Sequence, residues 1–197
     1  MTDRTTRPLI IIAAFAASLA IGLLAMLWMF DGLKGVTAPS AIGGPFRLVD
    51  QAGAAVTDQT MKGKPTLIFF GFTHCPDVCP TSLFEMSEIL RALGKDADGV
   101  NAYFVSVDPE RDTPEAMKDY LSSFDPHLKG LTGDPDAVTK MTTAYRVYSK
   151  KVPLKDGDYT MDHTALVYLM DRNGRFVSPF NLKRPPEQAA ADLKRYL

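Results

Sequence analysis

TLIFFGFTHCPDVCPTSLFEMSEILRAL, residues 66–93, holds an unbroken apolar run, both cysteines of the chain and an amphipathic segment, in that order. The run 66–72 suits a strand buried on both faces of a sheet. Leu83, Met86, Leu90 and Leu93 recur at spacings of three and four, which predicts a helix ending near Gly94. Cys75 then falls just beyond the C-terminal end of a buried strand, and Cys79 in the first turn of the following helix. In open α/β sheets ligands and reacting groups collect at that edge, and a helix N-terminus favours thiolate over thiol. Pro76 and Pro80 remove backbone donors near the helix start, where the loss costs least.

Working outward, NAYFVSVD (101–108) predicts a second strand, parallel to the first through a right-handed helical crossover. Asp112 or Thr113 before Pro114 marks a helix over 114–124, and Asp134-Pro135 another over 135–146. TALVYLM (164–170) and RFVSPF (175–180) flank Asp171-Arg172-Asn173-Gly174, a hairpin signal. PPEQAAADLKRYL closes the chain as a helix with Pro186 in its first turn. Upstream, FRLVD (46–50) and a short partner near Ala55–Val56 form a hairpin around the turn QAG. This order is met by a central mixed sheet with helices on both faces, and a thioredoxin-like α/β sandwich is the most economical choice. Asp108 and PERDTP sit on the cysteine side of that sheet. A partner-facing loop, or a capping turn built from Asp112, Thr113 and Pro114, explains them equally well.

The N-terminal run from Pro8 to Phe30 contains no charged residue. As a helix it would be roughly 34 Å long, against about 30 Å of bilayer hydrocarbon. It ends in Leu27-Trp28-Met29-Phe30-Asp31, bulky rather than the small-x-small of a cleavage site, so an uncleaved transmembrane anchor is expected, with Trp28 at the interface. Arg4 and Arg7 precede the run and Lys34 alone follows closely, which places the N-terminus in the cytoplasm. The expected organisation is a cytoplasmic stretch 1–7, an anchor 8–30, a linker 31–44 and an α/β domain 45–197. A single-pass protein of a bacterial inner membrane, with its domain in the periplasm, follows. Net charge is −1, so nothing electrostatic favours a nucleic-acid partner.

Three intervening residues separate Cys75 from Cys79. A structural disulfide would close a loop worth about 2 kcal/mol in the chain-entropy model, a contribution that a domain of this size does not need. A redox couple is feasible, because residues four apart on a helix are neighbours. With an imidazole, the two thiolates would instead make a soft three-coordinate set suited to copper, Cu(I) above all. The chain has three histidines. His163 precedes an apolar strand, where a site role and a plain loop–strand junction stand level. His74, next to Cys75, suits tuning of the thiol, and His127, in FDPHLKG, suits a surface loop. Asp77 reads as a solvated turn residue, a carboxylate at the helix start or an outer partner of a metal, and Met161 as packing or a soft thioether near His163.

Together GGPFRLVD, GFTHCPDVCPTSL, FVSVDPERDTP, GLTGDP, AYRVY and DYTMDHTALVYLMDRNG resemble the Sco/SenC family of copper chaperones for cytochrome c oxidase, over about residues 43–182. The resemblance implies a thioredoxin-like fold and a copper site made by Cys75, Cys79 and His163, with Cu(I) bound and Cu(II) as a further valence. Thr164 stands where the family usually has Ser, and Met161 where it usually has an aliphatic residue. The implied task is delivery of copper to the binuclear centre on the copper-bearing subunit of the oxidase. The alternatives are keeping that centre's cysteines reduced as a thiol–disulfide reductase, with Cys75 and Cys79 as the catalytic pair, or sensing redox state or copper. Another periplasmic copper chaperone or a thiol reductase would be a further partner.

Overall fold

Two chain segments, residues 1–39 and 40–197, form separate units in the computed structural model, which describes residues 6–33, 42–155 and 157–197. The first unit contains helix α1 (Thr6–Leu33), whose described side chains, at positions 14–28, are exposed. Among the described residues no helix is long and apolar enough to cross a membrane. The structure therefore does not show the anchor expected at 8–30, part of whose side chains lie outside the described residues. Of the linker expected at 31–44, positions 34–41 also lie outside them.

In the second unit β1 (Arg47–Asp50) and β2 (Ala55–Thr57) form the expected hairpin. β3 (Thr66–Gly71) is buried at every position, as its unbroken apolar run requires, and leads to α2 (Val78–Leu93). A 3-10 turn (Gly94–Gly99) leads on to β4 (Asn101–Ser106), parallel to β3. Thr113 caps α3 (Pro114–Leu121) by accepting from Ala116 N, and Asp134 caps α4 (Pro135–Ala144) by accepting from Asp136 N. Between these helices runs β5 (Leu128–Thr132), parallel to β4. β6 (Ser149–Pro153) and β7 (Tyr159–His163) pair only with each other. β8 (Val167–Met170), β9 (Phe176–Phe180) and α5 (Pro186–Lys194) end the chain. The main sheet has the order β2-β1-β5-β4-β3-β8-β9, with β3, β4 and β5 parallel and their outer neighbours antiparallel. This is the thioredoxin-like mixed sheet that the element order predicts.

Strand alternation sorts the helices onto faces. Phe69 and Gly71 of β3 stand opposite Phe104 and Ser106 of β4, and Phe104 opposite Gly130 of β5. On that face Tyr120 of α3 packs on Phe104 with ring centroids 5.8 Å apart. A Cβ at Gly130 would come within 2.9 Å of Met117 and Leu121 of α3, and one at Gly71 within 2.7 Å of Cys79 Sγ on α2. The other face carries Phe70 and Tyr168, which meet Tyr145 at the end of α4 at 5.7 and 6.4 Å. The buried rings and aliphatic side chains on both faces contribute roughly 1.5–3 kcal/mol each.

Three strands were absent from the expected order. β5 reads LKGLT, in which Lys129 and Gly130 break the apolar pattern. Gly130 is there because α3 lies directly on it. β6 is exposed at every position and β7 only half-buried, so neither carries the burial signature by which strands are recognised.

His127, expected on the surface, is about a third exposed and is held by two carboxylates. Its Nδ1 lies 2.7 Å from Oδ1 of buried Asp125, and its Nε2 lies 3.3 Å from Asp98. The hydrogen bond to Asp125 comes first among the causes that raise its pKa. A raised pKa means stability that is fully present below the ordinary value of 6.5 and lost as pH rises through the higher folded value. Replacing His127 by Gln is expected to lower the thermal midpoint clearly at about pH 5.5 and much less at about pH 9, followed by circular dichroism.

At Gly71 the tolerance is steric, since a Cβ there would also stand 2.6 Å from the buried Phe104 ring. Gly71→Ala is expected to destabilise the domain by about 1–3 kcal/mol, read from the midpoint of urea unfolding.

Candidate metal centre

The chain leaves β3 at Gly71 and makes a tight turn, with Cys75 N–H donating to Phe72 O at 3.3 Å, before α2 begins. Asp77 occupies the N-cap position of α2, yet its side chain makes no cap bond. The backbone N–H of Cys79, one of the unpaired donors at a helix start, points instead to Cys75 Sγ at 3.4 Å. A sulfur thus fills the acceptor place that Asp77 leaves empty. Cys79 faces inward from the first turn of α2 and is fully buried against Gly71 and Phe104, whereas Cys75 is half-buried. Both are free thiols.

His163 is the last residue of β7, not a loop residue at the entrance of the next strand. Its Nδ1 lies 3.1 Å from Thr164 O, an acceptor only, so Nδ1 carries the proton and Nε2 keeps its lone pair. Nε2 faces Cys79 Sγ at 3.7 Å. Phe69 and Phe72 pack against the imidazole, at 6.4 and 5.8 Å between ring centroids. Cys75 Sγ, Cys79 Sγ and one ring nitrogen of His163 all lie within 4.8 Å of one another. Among the described residues these three form the only group of three or more His, Cys, Asp or Glu side chains so placed. Two sulfurs and a neutral imidazole are soft donors, and such a set fits Cu(I).

The other candidates stand apart. His74 is exposed, and its Nδ1 lies 3.0 Å from Thr73 Oγ1. Asp77 is exposed at the helix start. Met161 is half-buried and packs against the core on the same side of β7 as His163. The expectation that the helix start would lower the cysteine pKa fails at Cys79. Burial there pushes the thiol up, aided by the neighbouring Cys75, and outweighs the pull of the Phe72 backbone hydrogen bond. A metal entering the site must displace that proton.

Asp108 and Asp112, which the sequence places on the cysteine side of the sheet, are buried behind the site, a burial that the sequence does not signal. Asp112 makes no helix cap. Its carboxylate accepts from Thr73 N at 3.2 Å, Thr73 Oγ1 at 2.6 Å and Ser106 Oγ at 2.6 Å, and so holds the cysteine loop to β4. Burial pushes its pKa up against the pull of these hydrogen bonds. Asp108, for which a partner-facing loop and a capping turn stand level in the sequence, is 1% exposed and so faces no partner. It accepts from Arg111 Nε at 2.6 Å and from Tyr159 Oη at 2.8 Å. The Arg111 guanidinium lies 3.7 Å from the Tyr159 ring centroid, and its Nη1 donates to Tyr159 O at 3.0 Å. Tyr120, whose buried hydroxyl has no hydrogen-bond partner among the described residues, has its pKa raised first by burial and then by its nearness to the two cysteines. The spacing of PERDTP suits a turn, and nothing in it distinguishes an exposed Asp from a buried one.

A family model described as SCO1/SenC matches residues 34–197. An SCO2-like protein of Rickettsia conorii is 42% identical over 149 residues, covering 75% of this chain and 73% of its own length. The human mitochondrial SCO1 homolog is 39% identical over 159 residues, 79% of this chain and 53% of its own. Among solved structures, Bradyrhizobium japonicum ScoI with copper bound is 79% identical, with a TM-score of 0.78 over 79% of this chain and 99% of that one. The family match spans the whole of the α/β unit and takes in both cysteines and the histidine that the fold brings together, and on these grounds this chain belongs to the SCO1/SenC family.

Proposed function

We propose that this chain is a copper chaperone that holds Cu(I) on Cys75, Cys79 and His163 and passes it to the copper-bearing subunit of cytochrome c oxidase during assembly. The observation that carries the reading is the convergence of two sulfurs and one imidazole nitrogen within 4.8 Å, from elements far apart in the chain. A 79% identical relative with copper bound supports it. The two cysteines bind as thiolates, and His163 binds through Nε2 because Thr164 O holds the proton on Nδ1. Cys75, the half-exposed sulfur, is where a partner's ligand enters, while buried Cys79 retains the ion until exchange is complete. The charge-free run 8–30, preceded by Arg4 and Arg7, supports an anchor in a bacterial inner membrane with the α/β domain in the periplasm. Tethering would confine the search for the oxidase to the membrane surface.

Titrating the reduced full chain with Cu(I) against a competing chelator is expected to give one tightly bound ion. His163→Ala should weaken binding by about tenfold or more with both thiols still titratable, since loss of one ligand removes at least about 1.4 kcal/mol. Unchanged affinity in that variant would overturn the ligand set.

A second reading rests on the asymmetry of the thiols. Cys75, half-exposed, attacks a partner's disulfide, forms a mixed disulfide and releases one partner thiol; buried Cys79 then attacks the Cys75 sulfur and releases the second. Two electrons pass to the partner and a Cys75–Cys79 disulfide remains. Cys79→Ser is expected to trap the mixed disulfide with an oxidised copper-site fragment of the oxidase subunit, seen as a mass adduct on non-reducing gels. Absence of the adduct, with Cys75 still free to react, excludes this role.

A further inference from the structure

The ligand set joins a loop of the main sheet to a two-stranded sheet that shares no ladder with it. β6 is exposed along its whole length, so most of what holds β6 and β7 in place must act through the inward face of β7. Strand alternation puts Tyr159, Met161 and His163 on one face. His163 is the ligand end, Met161 rests on the core, and Tyr159 lies about 13 Å back along the strand. Among the described residues, the polar ties of Tyr159 to the body run to residues 108–111. Its hydroxyl donates to Asp108, and its carbonyl accepts from Arg111, whose guanidinium covers its ring. Arg111 also reaches Asp158 at 3.3 Å, and Lys151 of β6 reaches Glu110 at 2.5 Å. The Arg111 guanidinium is 5.9 Å from the Phe72 ring, itself packed on His163.

The same short loop grips the cysteine side. Asp112 binds Thr73 through backbone and side chain, two residues before Cys75, and Asp108 N–H donates to Ser106 Oγ, which in turn donates to Asp112. Residues 108–112 therefore touch both halves of the site without supplying a ligand. We propose that this loop is a brace that sets the imidazole against the two sulfurs, with Arg111 as its positioning residue. The inference rests on the copper reading of Cys75, Cys79 and His163. Metal–ligand distances tolerate only about 0.2 Å, so a β7 strand free to lean away from the brace takes His163 out of the set.

The test uses the reduced full chain with Arg111→Met, Arg111→Lys, Tyr159→Phe, His163→Ala and the Arg111→Met/His163→Ala double variant. Each is titrated with Cu(I) against a chelator, and in a separate sample loaded with Cu(II) the thiolate-to-Cu(II) charge-transfer absorption is recorded. Arg111→Met is expected to lose about tenfold in Cu(I) affinity, the usual effect of removing an outer partner of a ligand. Its absorption should shift toward that of His163→Ala. Arg111→Lys should recover part of the loss, because it restores the charge beside Asp108 but not the second bond to Tyr159 O. Tyr159→Phe keeps the ring, removes one tie and should lose less, and it serves if Arg111→Met does not fold. In the His163→Ala background, Arg111→Met should change nothing further, because its effect passes through the imidazole. An equal loss in both backgrounds, or none in Arg111→Met where His163→Ala weakens binding, overturns the brace alone. Should His163→Ala bind as tightly as the unmodified chain, the ligand assignment falls and the brace with it.

Discussion

The site depends on one approach, 3.7 Å between Cys79 Sγ and His163 Nε2, across 84 residues of chain. Cys79 can be where it is because β3 ends in a residue without a side chain, which lets the first turn of α2 settle against the sheet. His163 can be where it is because the chain leaves the main sheet after α4, forms the β6–β7 ribbon and returns into β8 within a few residues. The imidazole is delivered at the return. Its orientation is then decided locally, since Nδ1 has a backbone carbonyl beside it and Nε2 has a sulfur.

Behind these ligands the fold buries two carboxylates within five residues of one another, an arrangement that is unfavourable unless each is hydrogen-bonded or paired. Asp112 answers by accepting from Thr73 and Ser106, and Asp108 by pairing with Arg111 and Tyr159. Their partners come from the cysteine loop, from β4 and from β7. The two carboxylates find these partners only when the three parts are assembled, so this network ties the correct assembly of the site to the stability of the fold. An apolar loop of equal size would lack that directional demand.

The thiol pair shows two opposing effects of one location. A helix start offers unpaired N–H groups, and Cys79 N–H indeed points to Cys75 Sγ. The same location places Cys79 itself under Phe104 and the sheet, where exclusion of water favours the neutral thiol. The outcome is a pair with one accessible and one sheltered sulfur, an asymmetry suited both to ligand exchange and to stepwise disulfide chemistry.

Residues close in sequence were legible without coordinates. The apolar run 66–72, the three-and-four spacing of Leu83 to Leu93, Pro114 and Pro135 at helix starts, and the turn at Asp171–Gly174 act over a few residues, where periodicity and capping dominate. They determined the α/β class and put both cysteines at the sheet's functional edge. His163 stood level with a plain junction residue until the family resemblance was weighed, because a ligand 84 residues away leaves no local signature. The tertiary structure alone decided that β5, β6 and β7 are strands, since their polar or small residues make sense only beside α3 or on an exposed ribbon. It alone placed buried Asp108 and Asp112 with half-buried Arg111 and Tyr159 in one network. Burial and long-range hydrogen bonding are properties of packed elements, and PERDTP reads the same whether its carboxylates face water or the core.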